Sequence, residues 1–98
     1  MANADFILTV SPTPQEEIAN SSVYPKDKLD QTGASIYPCY WEDWELDMHK
    51  LSAQYPEATF SLYCWDANDD AWVAYFRNGK LLQQSRRVAY FPALEERN

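Results

Sequence analysis

The pair Asn78-Gly79 constrains this chain more than any other two residues. A type I′ turn needs positive φ at both central positions, and Asn followed by Gly supplies it most readily. The pair lies between Ala71–Arg77, rich in aromatic and β-forming residues, and a run from Lys80 to Pro92. Those flanks are expected to pair as antiparallel strands, with a helical turn capped by Asp70 as the alternative for Ala71–Arg77. A two-residue turn also sets the register. It places Arg77 opposite Lys80, Phe76 opposite Leu81, Tyr75 opposite Leu82 and Trp72 opposite Ser85. Trp72, Ala74, Phe76 and Leu81 then share a core-facing side, and Val73, Tyr75 and Leu82 share the other.

A helix is expected upstream, from Trp41 to Tyr55. Trp41, Trp44, Met48, Leu51 and Tyr55 recur at spacings of three and four, which stacks them in one stripe. Glu42, Asp43, Glu45 and Asp47 load its first half with negative charge, and Lys50 falls in its second half, both as the helix dipole prefers. Pro56 ends it, lacking the N–H that would continue the ladder. Ala58–Trp65 then alternates as a strand, with Phe60, Leu62 and Cys64 on one face and Thr59, Ser61, Tyr63 and Trp65 on the other. Asp66–Asp70 reads as a polar turn.

The N-terminal half is less regular. Asp5–Val10 reads as a strand. Thr13, Pro14 and Glu16 suit a helix start, with Thr13 as N-cap and the helix running about Pro14–Asn20. Its one large apolar residue is Ile18. Asn20 to Tyr37 reads as an ordered surface loop anchored by Val23, Tyr24 and Ile36. The order β-α-loop-α-β-β-β implies one α+β domain over residues 1–98, an antiparallel sheet of about four strands packed against one main helix. The face away from that helix carries Tyr63, Trp65, Tyr75, Leu82 and Tyr90. Either another part of the chain covers it or it is a contact surface.

Composition narrows the function. The formal charge is −7, which repels phosphates and anionic lipids and attracts basic partners; it also serves solubility alone. The two cysteines have no CxxC spacing, and with one histidine they are too few for a structural zinc site. No apolar run spans a membrane and MANADFILTV does not read as a secretory signal, so a cytoplasmic location with free thiols is expected.

No catalytic constellation is legible, and the expectation is a non-enzyme without cofactor or metal. His49 reads as a solvated surface residue near Glu45, and Cys39 and Cys64 as structural. Asp66-x-Asn68-x-Asp70 opens like a calcium loop, but Ala71 replaces its glycine and Arg77 its bidentate Glu. Arg77, Lys80, Arg86 and Arg87, with Tyr75 and Tyr90, admit two readings. They can stack and neutralise single-stranded nucleic acid, or they protect a sheet edge.

From Trp41 onward, Met48, Leu51-Ser52, Tyr55-Pro56, Phe60, Leu62, the Asp66–Asp70 turn, Trp72, Tyr75-Phe76 and Asn78-Gly79-Lys80 form a pattern. It resembles that of the YubB-like ferredoxin-fold small proteins of phages, plasmids and integrated elements. The resemblance covers roughly the second half of the chain, while the N-terminal half departs from the group. It implies a ferredoxin-like variant and no particular chemistry. A mobile-element origin implies jobs such as blocking host defence complexes, as anti-CRISPR proteins do. On that view Glu42, Asp43, Glu45, Asp47, Asp66, Asp69 and Asp70 mimic nucleic-acid phosphates, and Tyr63 and Trp65 add ring contacts. The alternative is a single-stranded nucleic-acid module using Arg77, Arg86, Arg87 and Tyr90.

Overall fold

The structure, a computed structural model, describes residues 4–66 and 71–86. Its elements are β1 (Ala4–Ser11), α1 (Gln15–Ala19), α2 (Trp44–Gln54), β2 (Thr59–Asp66), β3 (Ala71–Arg77) and β4 (Lys80–Arg86). The strands form one antiparallel sheet in the order β1-β2-β3-β4, with α2 packed against it. This is the expected α+β layout, compatible with a ferredoxin-like variant that has two helices. Ala71–Arg77 is strand, not a helical turn.

Pairing carries the alternation across the sheet in rows. Phe6, Cys64 and Trp72 stand side by side, then Leu8, Leu62 and Ala74, then Val10, Phe60, Phe76 and Leu81. These rows meet Met48 and Leu51 of α2 in a single core. Much of that core is aromatic. Phe6 meets Trp41 edge-on at 5.1 Å, Trp44 packs on Trp72 at 4.5 Å, and Trp44 meets Phe76 at 6.2 Å. Such ring pairs each add about 0.5–1.5 kcal/mol beyond the area they bury.

Asn78 has φ 52° and Gly79 φ 76°, so the hairpin turn has positive φ at both central positions, as a type I′ turn requires. The register starts as expected, with Arg77 opposite Lys80 and Phe76 opposite Leu81. A bulge then intervenes, so Tyr75 pairs with Gln83 and Trp72 with Arg86, correcting the expected Leu82 and Ser85. An extra residue in one strand shifts every later pair by one, and no glycine marks the site. Leu82 is left exposed.

Helix α2 grips this turn. The buried Ser52 hydroxyl accepts the Gly79 N–H at 3.0 Å. His49 Nδ1 lies 2.8 Å from the Gly79 carbonyl oxygen and therefore carries a proton, because a carbonyl only accepts. Its ring stands edge-on to Phe76 at 5.3 Å and its Nε2 reaches Glu45 at 3.4 Å. His49 is thus a half-buried clasp between helix and hairpin, which corrects its reading as a solvated surface residue. A Cβ on Gly79 would stand 3.3 Å from that of Ala53, a tight contact that adds to the preference for glycine set by its φ of 76°.

Both helices begin later than the sequence suggests. α2 starts at Trp44, and Trp41 lies just before the Glu42-Asp43 turn that leads into it. α1 is capped by Pro14 without a side-chain bond, so the expected Thr13 cap does not form. Short as it is, α1 buries Ile18 fully.

The 20–37 segment is more than a surface loop. Residues 33–39 run beside the outer edge of β1, where Leu8 N–H donates to Gly33 O at 2.7 Å and Ser35 N–H to Phe6 O at 2.8 Å. Ala4 and Cys39 exchange two backbone bonds, at 2.9 and 3.0 Å. The strap covers an edge that would otherwise invite a foreign strand. Its anchors are Tyr24 and the buried Leu29, with Val23 half-buried. Ile36, expected as an anchor, is 51% exposed. Asp30 organises the bend: its Oδ1 accepts the Thr32 N–H at 2.8 Å, the Thr32 hydroxyl at 2.6 Å and the Ala34 N–H at 3.2 Å. Those bonds, Thr32's foremost, hold its carboxyl below the usual carboxylate range. Burial, assisted by the Asp30 charge, pushes the Tyr24 hydroxyl up to about 12.

Two outcomes follow. Gly33 has φ 94°, and a Cβ there would drive into the Leu8 carbonyl oxygen. Gly33→Ala is expected to cost about 2 kcal/mol or more; unchanged urea denaturation would refute the docking of the strap. Because folding lowers the Asp30 pKa, its contribution is complete above the usual carboxylate pKa and disappears as pH falls through the folded value. Asp30→Ala should therefore lower the melting temperature at neutral pH, with the gap to wild type closing in acid.

Candidate protein-binding surface

The expected carboxylates divide into two kinds. Asp47 accepts the indole N–H of the buried Trp41 at 2.8 Å, so it serves the fold. This bond ties the turn before α2 down onto the helix. Glu42, Asp43 and Glu45 remain on the surface. Among the described residues the one contact of an acidic with a basic side chain within salt-bridge reach joins Glu45 to His49, at 3.4 Å. No lysine or arginine neutralises this group within that set. Asp66 closes β2, and Asp69 and Asp70 lie outside the described residues.

The expected ring contacts are not free. Tyr63 and Trp65 are half-buried on the sheet face away from α2, and both already have interactions. On the same face Val73 is 0% and Tyr75 2% exposed, so that part of the face is covered. Burial, with Tyr63 hydrogen-bonded beside it, pushes the Tyr75 hydroxyl up. The pairing explains the placement, since Tyr63 sits opposite Val73 and Ser61 opposite Tyr75. Of the two readings of this face, cover applies here.

Exposed apolar surface appears elsewhere, just before the acidic turn. Ile36, Tyr37 and Tyr40 are 51%, 55% and 45% exposed, and Leu46 on α2 is exposed as well. The Tyr40 hydroxyl donates to Glu42 at 3.3 Å. The Glu42 charge, first among several causes, raises the Tyr40 pKa. Rings and carboxylates thus adjoin along 36–45. Sequence periodicity misses this patch because the strap has none; the run Ile36-Tyr37-Pro38-Cys39-Tyr40 only shows that a Pro-broken segment carries rings. Its Cys39 is buried, and burial pushes that thiol up.

For the nucleic-acid alternative, Arg77 is exposed, but its Nε and Nη2 donate to Thr59 Oγ1 at 3.1 and 2.6 Å. The partner lies on the neighbouring strand. Arg86 ends β4, while Arg87 and Tyr90 lie outside the described residues.

Beside α1 lies a cleft of ≈ 370 Å³ between Tyr24, Leu29 and Ile36, with Lys26 and Asp30 at it. Among the described residues no group of three or more His, Cys, Asp or Glu side chains is placed to hold a metal ion. Nor, among them, is any helix long and apolar enough to cross a membrane. Comparison with family models, with curated proteins and with solved structures finds no match.

The division of the carboxylates is testable by urea denaturation. Asp47→Ala leaves a buried indole N–H without its acceptor and should cost about 1–3 kcal/mol. Glu42→Ala and Asp43→Ala should each stay within about 0.5 kcal/mol of wild type. Equal losses at all three positions would contradict the assignment.

Proposed function

We propose that the chain is a small acidic protein-binding module. The patch of Tyr37, Tyr40, Glu42, Asp43 and Glu45 meets a basic surface on a nucleic-acid-handling protein. One observation carries this reading: exposed carboxylates without Lys or Arg partners among the described residues, next to exposed rings. Carboxylates attract the cationic groups that a nucleic-acid channel presents to phosphates, and Tyr faces accept arginine through cation–π contact. The fold suits the task, because Trp41 and Asp47 fix the turn from below while its charges face solvent. Aromatic contacts would supply affinity, and charge would supply rate and selectivity.

The finer reading follows from the likeness to small mobile-element proteins: inhibition of a host defence complex, in the manner of anti-CRISPR proteins, in the cytoplasm and without catalysis. The alternative, a single-stranded nucleic-acid module, draws on Arg77, Arg86, Arg87 and Tyr90, and has less support because Arg77 is engaged by Thr59.

The test is affinity capture from a bacterial lysate with mass-spectrometric identification, run in parallel with the Glu42→Ala/Asp43→Ala/Glu45→Ala variant and with Tyr37→Ala/Tyr40→Ala. A specific partner should be basic and lost with either variant. It should also weaken as salt shortens the Debye length from roughly 8 Å at physiological ionic strength to about 3 Å in molar salt. Capture indifferent to salt and to both variants would reject the proposal. A gel shift with single-stranded oligonucleotides, abolished by salt, would favour the alternative.

A further inference from the structure

We propose that Asn78-Gly79 is a latent deamidation site that α2 keeps closed. The chemistry is intrinsic to an Asn-Gly pair. The Gly79 backbone nitrogen loses its proton and attacks the Asn78 side-chain carbonyl carbon; the bond to Nδ2 breaks and ammonia leaves. Water then opens the succinimide at either carbonyl, giving Asp or a β-linked isoaspartate. The absence of a side chain on Gly79 is what lets the nitrogen approach.

The fold restrains this one nitrogen directly. Its N–H, the proton that must leave, is donated to the buried Ser52 hydroxyl at 3.0 Å. The carbonyl of the same residue is held by His49 Nδ1 at 2.8 Å, so Gly79 is fixed at both its donor and its acceptor. Asn78, by contrast, is exposed and water reaches it. Ala53 closes in from α2, where even a Cβ on Gly79 would stand only 3.3 Å away. The amide is therefore protected for as long as helix and hairpin stay together. Isoaspartate inserts a methylene into the main chain at the turn, which removes the I′ geometry and with it the approach to α2. Deamidation is then both a consequence of hairpin release and a lock against its reversal.

The full-length protein is incubated at mildly alkaline pH, in native buffer and in urea. The peptide containing residues 78 and 79 is then quantified as Asn, Asp and isoaspartate by mass spectrometry and an isoaspartate assay. Wild type should convert more slowly in native buffer than in urea. Ser52→Ala and His49→Ala should each raise the native rate roughly two- to tenfold, the worth of one hydrogen bond, and leave the rate in urea unchanged. If Ser52→Ala does not fold, His49→Ala and the native-to-urea comparison decide. Equal rates for wild type in both conditions, or native rates unmoved in a folded variant, would overturn the proposal.

Discussion

Burial of a continuous set of rings between α2 and one sheet face holds this protein together. Trp41, Phe6, Trp72, Trp44 and Phe76 touch in succession, joining the turn before α2, the first strand, the third strand and the helix itself. Strands alone would not give a stable sheet of this size without such a face to cover. A chain of ninety-eight residues has little surplus burial, so large side chains at the contact matter more than the number of elements. The short α1 and the strap add to the same core through Ile18, Tyr24 and Leu29.

Around that core, polar contacts decide what can move. Ser52 and His49 bind α2 to the β3–β4 turn, and Gly33, Ser35 and Cys39 bind the strap to β1. Asp47 spends its charge on an indole N–H, which lets Glu42, Asp43 and Glu45 face water on a fixed turn. A rigid charged turn loses less entropy on binding than a mobile one, which is the physical reason for proposing partner contact there.

The residues behind the proposed resemblance to small mobile-element proteins have a structural meaning. Leu51 is core, Ser52 and Gly79 meet through a hydrogen bond, and Tyr55 packs against Phe60. Trp72 and Phe76 join the ring cluster. A pattern of this kind describes how a helix is latched to a hairpin. It carries fold, and the exposed chemistry lies outside it, on the strap and the acidic turn.

What the sequence determined by itself was whatever depends on nearest neighbours: the positive-φ turn at Asn78-Gly79, the stripe of Met48 and Leu51, the alternation of Phe60, Leu62 and Cys64, and the α+β class. Tertiary structure alone decided three things. The bulge after Leu81 answers to sheet twist and packing, which no residue there announces. The strap's place beside β1 rests mostly on main-chain bonds that any sequence could make, together with a Ser35 hydroxyl that accepts the Phe6 N–H and a glycine whose need is visible only next to Leu8. That Asp47 serves the fold was likewise undecided, because an aspartate that satisfies a buried indole and an aspartate left to solvent read alike until the indole's position is known.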